Sequence, residues 1–277
     1  MRHLGFFFTG FLFFSIGYGQ SIETKKKYSL LNPVPKKEMK EMETDRPDVT
    51  ESAYSVSAGH FQFESDLVRM AFNKSDGLSN TEIAYNLANL KLGLTEKMDI
   101  QFVIPTFVSI RTTEIATDKL INKSSGFDDI TVRIKYNIWG NKGGKTALAV
   151  MPYISFPTSS ISYNGHTGGV IIPFALELKK GWSFGTQIAI GFSKEDNDRY
   201  YNGYLYSFTF GKTLSSKLSV FTESYISYAS FEKSTEAYFN GGIVYALGDN
   251  FNLDAGFNYG LTKASDKVLF TGFSFRL

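Results

Sequence analysis

From Ile130 to Trp139 the chain reads ITVRIKYNIW. Side chains alternate across a strand, so Ile130, Val132, Ile134, Tyr136 and Ile138 share one face while Thr131, Arg133, Lys135 and Asn137 share the other. The pattern returns in FNLDAGFNYGL, where Phe251, Leu253, Ala255, Phe257, Tyr259 and Leu261 oppose Asn252, Asp254, Gly256, Asn258 and Gly260. A soluble sandwich would make the apolar face its core. A transmembrane barrel would turn that face to lipid and the polar face to its lumen. The solvent that the apolar face meets therefore decides the fold class and most of the function.

The beginning of the chain favours lipid. MRHLGFFFTGFLFFSIGYGQ places Arg2 before an apolar run, with Gly17 and Gly19 flanking Tyr18, which reads as a secretory signal peptide cleaved after Gly19 or Gln20. The run falls short of the ~20 residues of a spanning helix. Export with no cysteine excludes disulfide stapling, and no later run of ~18 apolar residues exists, so a membrane crossing has to use strands. The 29 Lys and Arg nearly cancel the 27 Asp and Glu, which gives no electrostatic case for a nucleic-acid partner.

About twelve β-prone segments follow, at 60–72, 81–94, 98–110, 128–139, 146–156, 169–178, 182–193, 200–212, 218–229, 236–247, 251–261 and 267–277. An even count suits a closed antiparallel barrel with both ends on one side. The connections 95–97, 140–145, 179–181, 213–217 and 248–250 are tight and rich in Gly, Lys, Ser, Asn and Asp. Those between them are mostly longer, notably 111–127 and 157–168. Short turns at one end and longer loops at the other are the outer-membrane asymmetry. Tyr204, Tyr206, Phe208 and Phe210 share one face, and Trp139 and Trp182 sit at strand ends, as interfacial aromatics do. The last strand puts Leu269, Phe273, Phe275 and Leu277 on one face, similar to the C-terminal signal read by barrel-assembly machinery, with Leu277 where phenylalanine is usual.

The predicted architecture is all-β: a single transmembrane antiparallel β-barrel of about twelve strands with a periplasmic N-terminal segment. Its divisions are a signal peptide at 1–20, the periplasmic segment and plug at 21–58, and the barrel at 59–277. Residues 21–42, with Lys25, Lys26, Lys27, Pro33, Pro35, Lys36, Lys37 and Lys40, read as flexible chain with too little apolar surface to offset ordering. A basic patch against anionic headgroups is the alternative. Asp45, Arg46 and Asp48 around Pro47 form a polar turn suited to a plug or latch, with gating or solute contact as the alternative.

The stretch ETDRPDVTESAYSVSAGHFQFESDL at 43–67 resembles the barrel entry of a family of Gram-negative outer-membrane proteins labelled meta-pathway phenol-degradation proteins or transporters. Thr44, Asp45, Arg46, Pro47, Asp48, Thr50 and Glu51 carry the likeness, followed by Gly59, Phe61 and Glu64. It continues through NLKLGLTEKMDIQF, GFDDITVRIKY, FPTS and the last two hairpins. The resemblance implies an outer-membrane barrel and passage of small, often hydrophobic compounds.

With apolar faces outward, the inward set is Glu64, Asp66, Lys91, Asp99, Arg133, Lys135, Glu177, Glu223 and Asp254. Strands ~4.8 Å apart and tilted ~40° give twelve strands a radius of roughly 12 Å, and side chains ~6 Å long leave a narrow passage. Buried charges require pairing, so these acids and bases read equally as an ion-paired network that fills the lumen with no ligand, and Arg133 with Lys135 is the first choice for a cationic strip facing solute. The predicted function is an outer-membrane channel or transporter for small hydrophobic or aromatic solutes. A structural or adhesive barrel acting through its loops is the alternative, and a lipid hydrolase a weaker one. A hydrolase needs a serine, an activating histidine and a polar partner, but beyond the leader only His60 and His166 (in YNGHTGG) remain, neither beside a serine motif. No catalytic residue, metal or cofactor is predicted. The predicted partners are outer-membrane lipid, the assembly machinery and a small-molecule solute.

Overall fold

Burial along β5 (Ile130–Trp139) is inverted relative to a soluble strand: Lys135 and Asn137 are buried, while Ile134, Tyr136 and Ile138 are exposed. The computed structural model in which this is seen describes residues 27–161, 165–194 and 199–277, so the signal peptide predicted at 1–20 lies outside the described residues. The other strands are β1 (Phe61–Ser75), β2 (Leu78–Thr95), β3 (Met98–Glu114), β4 (Leu120–Gly126), β6 (Thr146–Phe156) and β7 (Thr167–Glu177). They are followed by β8 (Trp182–Lys194), β9 (Tyr200–Thr213), β10 (Leu218–Ala229), β11 (Ser234–Gly248), β12 (Phe251–Gly260) and β13 (Lys267–Arg276). The pairings run antiparallel from β1 through β2, β3 and β5 to β13, and β13 returns to β1. This closes a 12-strand barrel and leaves no unpaired edge in its wall.

At the seam, Gln62 pairs with Arg276 and Phe72 with Lys267, and Leu277 N–H donates to the Phe61 carbonyl at 2.9 Å. A bulge between Asp66 and Val68 exposes Leu67 and switches the alternation, so that Arg69 and Ala71 continue the inward face begun by Glu64 and Asp66.

The barrel rises further on the loop side than the sequence pattern suggests. A tilted spanning strand needs ~9–11 residues, and β2 has 18. The connection between β1 and β2 is a two-residue turn, with Asp76 at φ 51° and Gly77 at φ 78°, the paired positive values of a hairpin turn. The stretch 111–127, predicted as a loop, instead extends β3 and folds back as β4, with Val108 opposite Gly126. Beyond the bilayer no face needs to be apolar, so these strands lack the alternation that marks the others.

Residues 27–42 also depart from the flexible chain predicted there. Ser29 bridges to Thr95, Val34 N–H donates to the Ala58 carbonyl at 3.0 Å, and Lys40 Nζ donates to Asn141 Oδ1 at 2.6 Å. The segment needs no core of its own, because the rim of the tight-turn end supplies partners for its backbone. That end faces the periplasm in bacterial outer-membrane barrels.

Candidate functional site

Residues 43–57 run inside the barrel from its tight-turn end, and two wall glycines admit them. A Cβ on Gly93 would overlap the Ser57 carbonyl, and one on Gly272 would overlap the Arg46 guanidinium. Irregular backbone in a lumen cannot satisfy its own polar groups. The wall does so instead. Glu223 accepts from Val49 N–H at 2.9 Å, Thr50 N–H at 2.7 Å and the Thr50 hydroxyl at 2.6 Å. Asp99 accepts from Val56 N–H at 2.8 Å, and Asn137 donates to the Ala53 carbonyl at 2.7 Å. Gln187 accepts from Glu51 N–H at 2.8 Å and donates to the Val49 carbonyl at 3.0 Å.

Ion pairs fix the same segment. Arg46 spans the seam: Nη1 reaches Asp66 at 2.6 Å, while Nη2 and Nε reach the two oxygens of Asp254 at 2.6 and 3.2 Å, the planar fork that arginine presents to carboxylates. Asp45 accepts from Lys135 at 2.6 Å and from Lys91, and Lys91 also pairs with Glu64. Glu64 in turn accepts from Asp45 N–H at 3.0 Å. Burial pushes the Asp45 carboxyl up, but Lys135 and Lys91 outweigh it and hold the group below the usual carboxylate range. Burial pushes Glu43 up to about 7, and burial with Glu223 nearby raises Asp48 well above its ordinary value.

Glu64, Asp66, Lys91, Asp99, Lys135, Glu223 and Asp254 thus all touch the N-terminal segment. Arg133 meets it higher up, with Nη1 2.6 Å from Glu51 Oε1. Arg133 and Lys135 do not form the solute-facing strip predicted for them, because Lys135 is 1% exposed and bound to Asp45. Glu177 ends β7 at the rim, exposed and outside this network. Asp45 and Arg46 make the central contacts, and Pro47 follows Arg46 through a cis peptide bond. Glu51, Thr50, Gln187 and Asn137 join the site beyond the charged set that the sequence predicts. The wall amides occupy the same alternate positions as the charges, so counting every inward polar residue would have found them.

Above the segment, on the loop side, is a cavity of about 500 Å³ floored by Val49 and Glu51 and walled by Arg133, Tyr153, Ile171, Ala189 and Leu205. Across the lumen, Ala71, Phe221, Val268 and Phe270 pack together and the Tyr225 and Tyr238 rings stack at 4.4 Å. The open space is therefore displaced toward β5–β11, where Ser227 and Glu236 also line it. Below the segment a recess of about 410 Å³ is lined by Glu43, Asp48, Glu51, Glu177 and Thr209, and Glu51 borders both spaces. Burial raises the Glu51 carboxyl to about 7 despite Arg133. His60 faces the Leu277 carbonyl at 2.8 Å and the Val34 carbonyl at 2.7 Å through its two ring nitrogens, tying the segment to the seam.

A family model described as "Putative MetA-pathway of phenol degradation" matches residues 44–277. No curated protein matches the chain. Among solved structures, the NanC porin is similar at TM-score 0.50 and 11% identity, over 78% of this chain and all (100%) of that one. The translocator domain of autotransporter NalP from Neisseria meningitidis aligns at TM-score 0.49 and 10% identity, over 80% of this chain and 89% of its own. The CymD monoaromatic hydrocarbon channel aligns at TM-score 0.42 and 9% identity, over 78% of this chain and 87% of its own. At these identities a structural likeness speaks to the barrel fold alone.

Proposed function

Because the chain belongs to the family of the MetA-pathway of phenol degradation, we propose that it is a narrow outer-membrane channel for uptake of small hydrophobic or aromatic solutes, with its N-terminal segment as the constriction. The observation that carries this is the displaced open space: a loop-side cavity and a periplasm-side recess share Glu51 as a border. Selectivity in such a path comes from its diameter and from the groups that line it. A structural or adhesive barrel gains nothing from an unfilled cavity over a charged pair. A hydrolase is disfavoured, since His60 is held between two carbonyls and the His166 ring packs edge-on against Phe156 at 5.9 Å.

In the same proposal, residues 1–20 direct export across the inner membrane of a Gram-negative cell and are cleaved. The assembly machinery inserts the barrel into outer-membrane lipid. Liposome swelling with purified protein and neutral solutes of increasing size tests the channel. Swelling that stops at small solutes supports it, and liposomes no more permeable than empty ones to every solute would overturn it.

A further inference from the structure

The loop-side cavity, at about 500 Å³, has the size of a small-molecule site. At its floor the Glu51–Arg133 pair is joined through one atom of each partner, Oε1 and Nη1, at 2.6 Å. Glu51 Oε2 and Arg133 Nε are buried with no hydrogen-bond partner among the described residues. The first can only accept while the carboxylate is ionised, and the second can only donate. Oε2 shares its carbon with Oε1, and Nε shares its carbon with Nη1, so both atoms neighbour the one bond already made, and because both are covered in this arrangement a ligand reaches them as the Arg133 side chain, 21% exposed, swings aside. A hydroxyl group satisfies both: its O–H donates to Oε2 and its oxygen accepts from Nε–H.

Charge narrows the ligand further. With Glu51 ionised the pair is neutral as a unit and Glu236 also lines the cavity, so an anion would meet carboxylate oxygens with the nearest guanidinium already engaged, and a cation would meet that guanidinium. A hydrocarbon would leave both atoms unpaired. Ile171, Ala189 and Leu205 offer an apolar wall for the rest of the molecule. Gly203 lines the same cavity, and a Cβ placed there would have nothing within 4 Å, so the space in front of β9 is open.

Resting on the channel proposed above, we infer that this cavity is a binding site for an uncharged small molecule with an apolar body and a hydroxyl group, the hydroxyl seated between Glu51 and Arg133. The test uses the purified protein in detergent micelles and three matched probes: benzyl alcohol, benzoate and toluene. Titration calorimetry and saturation-transfer NMR measure binding, with partition into micelles subtracted from protein-free controls. The alcohol is expected to bind at least about tenfold more tightly than either of the others, the ratio that one unmade buried hydrogen bond produces.

Glu51→Leu combined with Arg133→Leu is expected to lower alcohol binding about tenfold while leaving toluene unchanged. Gly203→Phe fills the space without touching the pair and is expected to weaken binding of all three probes. Equal or tighter binding of benzoate or toluene, or alcohol binding unchanged in both variants, would overturn the site. Liposome swelling on the same preparations separates the two proposals. Selective binding without flux removes the channel and leaves the site, whereas flux without the hydroxyl preference removes the site and leaves the channel.

Discussion

In the tight-turn half of the lumen Lys91, Lys135, Asp66 and Asp254 all meet the N-terminal segment, whereas in the loop half one wall is packed with rings and the other faces open space. The difference follows from what the wall carries. Opposed charges in a lumen need partners, and residues 45 and 46 bring an acid and a base to them. Ile171, Ala189, Gly191 and Gly203 carry nothing to neutralise, so no chain is drawn to them and the space stays clear. Glu51 and Arg133 stand on the boundary, paired through one atom each.

Removing the segment should erase this contrast and gives the largest expected effect. Deletion of residues 43–57 should raise single-channel conductance severalfold in planar bilayers; equal conductance in the full protein and the deletion would mean that the segment does not constrict the lumen. Next in size, Asp45→Ala leaves Lys91 and Lys135 facing each other across a missing partner. Such a broken buried pair costs about 3–5 kcal/mol. The variant should unfold at lower temperature in detergent, while Asp48→Ala, which removes a carboxyl whose charged form burial disfavours, should lose much less.

Changing pH should produce a moderate effect centred on the periplasmic recess. Glu43 and Glu51 border the lower recess, and burial raises both carboxyls to about 7. Each folded-state value lies above the unfolded one, so these groups favour folding at low pH and lose that contribution as pH rises through about 7. The recess then becomes negative, and reversal potentials should show growing cation preference between pH 6 and 8, reduced by Glu43→Gln. A flat profile would detach the recess from the conducting path. The smallest effect is expected at the rim: Glu177→Gln, exposed and outside the ionic network, should change thermal stability by no more than about 0.5 kcal/mol.

The wall was legible because lipid enforces strict alternation. ITVRIKYNIW could be placed from the sequence with Lys135 inward and Ile134 outward, which is how β5 stands. Where lipid stops, so does the signal: β4 and the Asp76–Gly77 turn lie in stretches without an apolar face, and alternation marks neither. The contacts of the segment were hidden for a different reason. Arg133 finds Glu51 82 residues away and Arg46 finds Asp254 208 residues away, pairings that depend on how barrel closure and the entry of the segment combine. Alternation tells which way a wall residue points but not which atom it meets. Alternation turns Lys135 inward but leaves it facing solute, because spacing alone does not place Asp45 beside it.

The seating of the segment can be trapped covalently, since the chain has no cysteine of its own. Thr50 Oγ1 and Ser207 Oγ lie 2.7 Å apart, one on the segment and the other on β9. Thr50→Cys with Ser207→Cys, expressed in outer membranes and oxidised there, should form an intramolecular disulfide in most molecules, seen as a loss of thiol labelling that reductant restores. Full labelling of both cysteines under oxidising conditions, in barrels that are otherwise folded, would contradict the placement of the N-terminal segment inside the lumen.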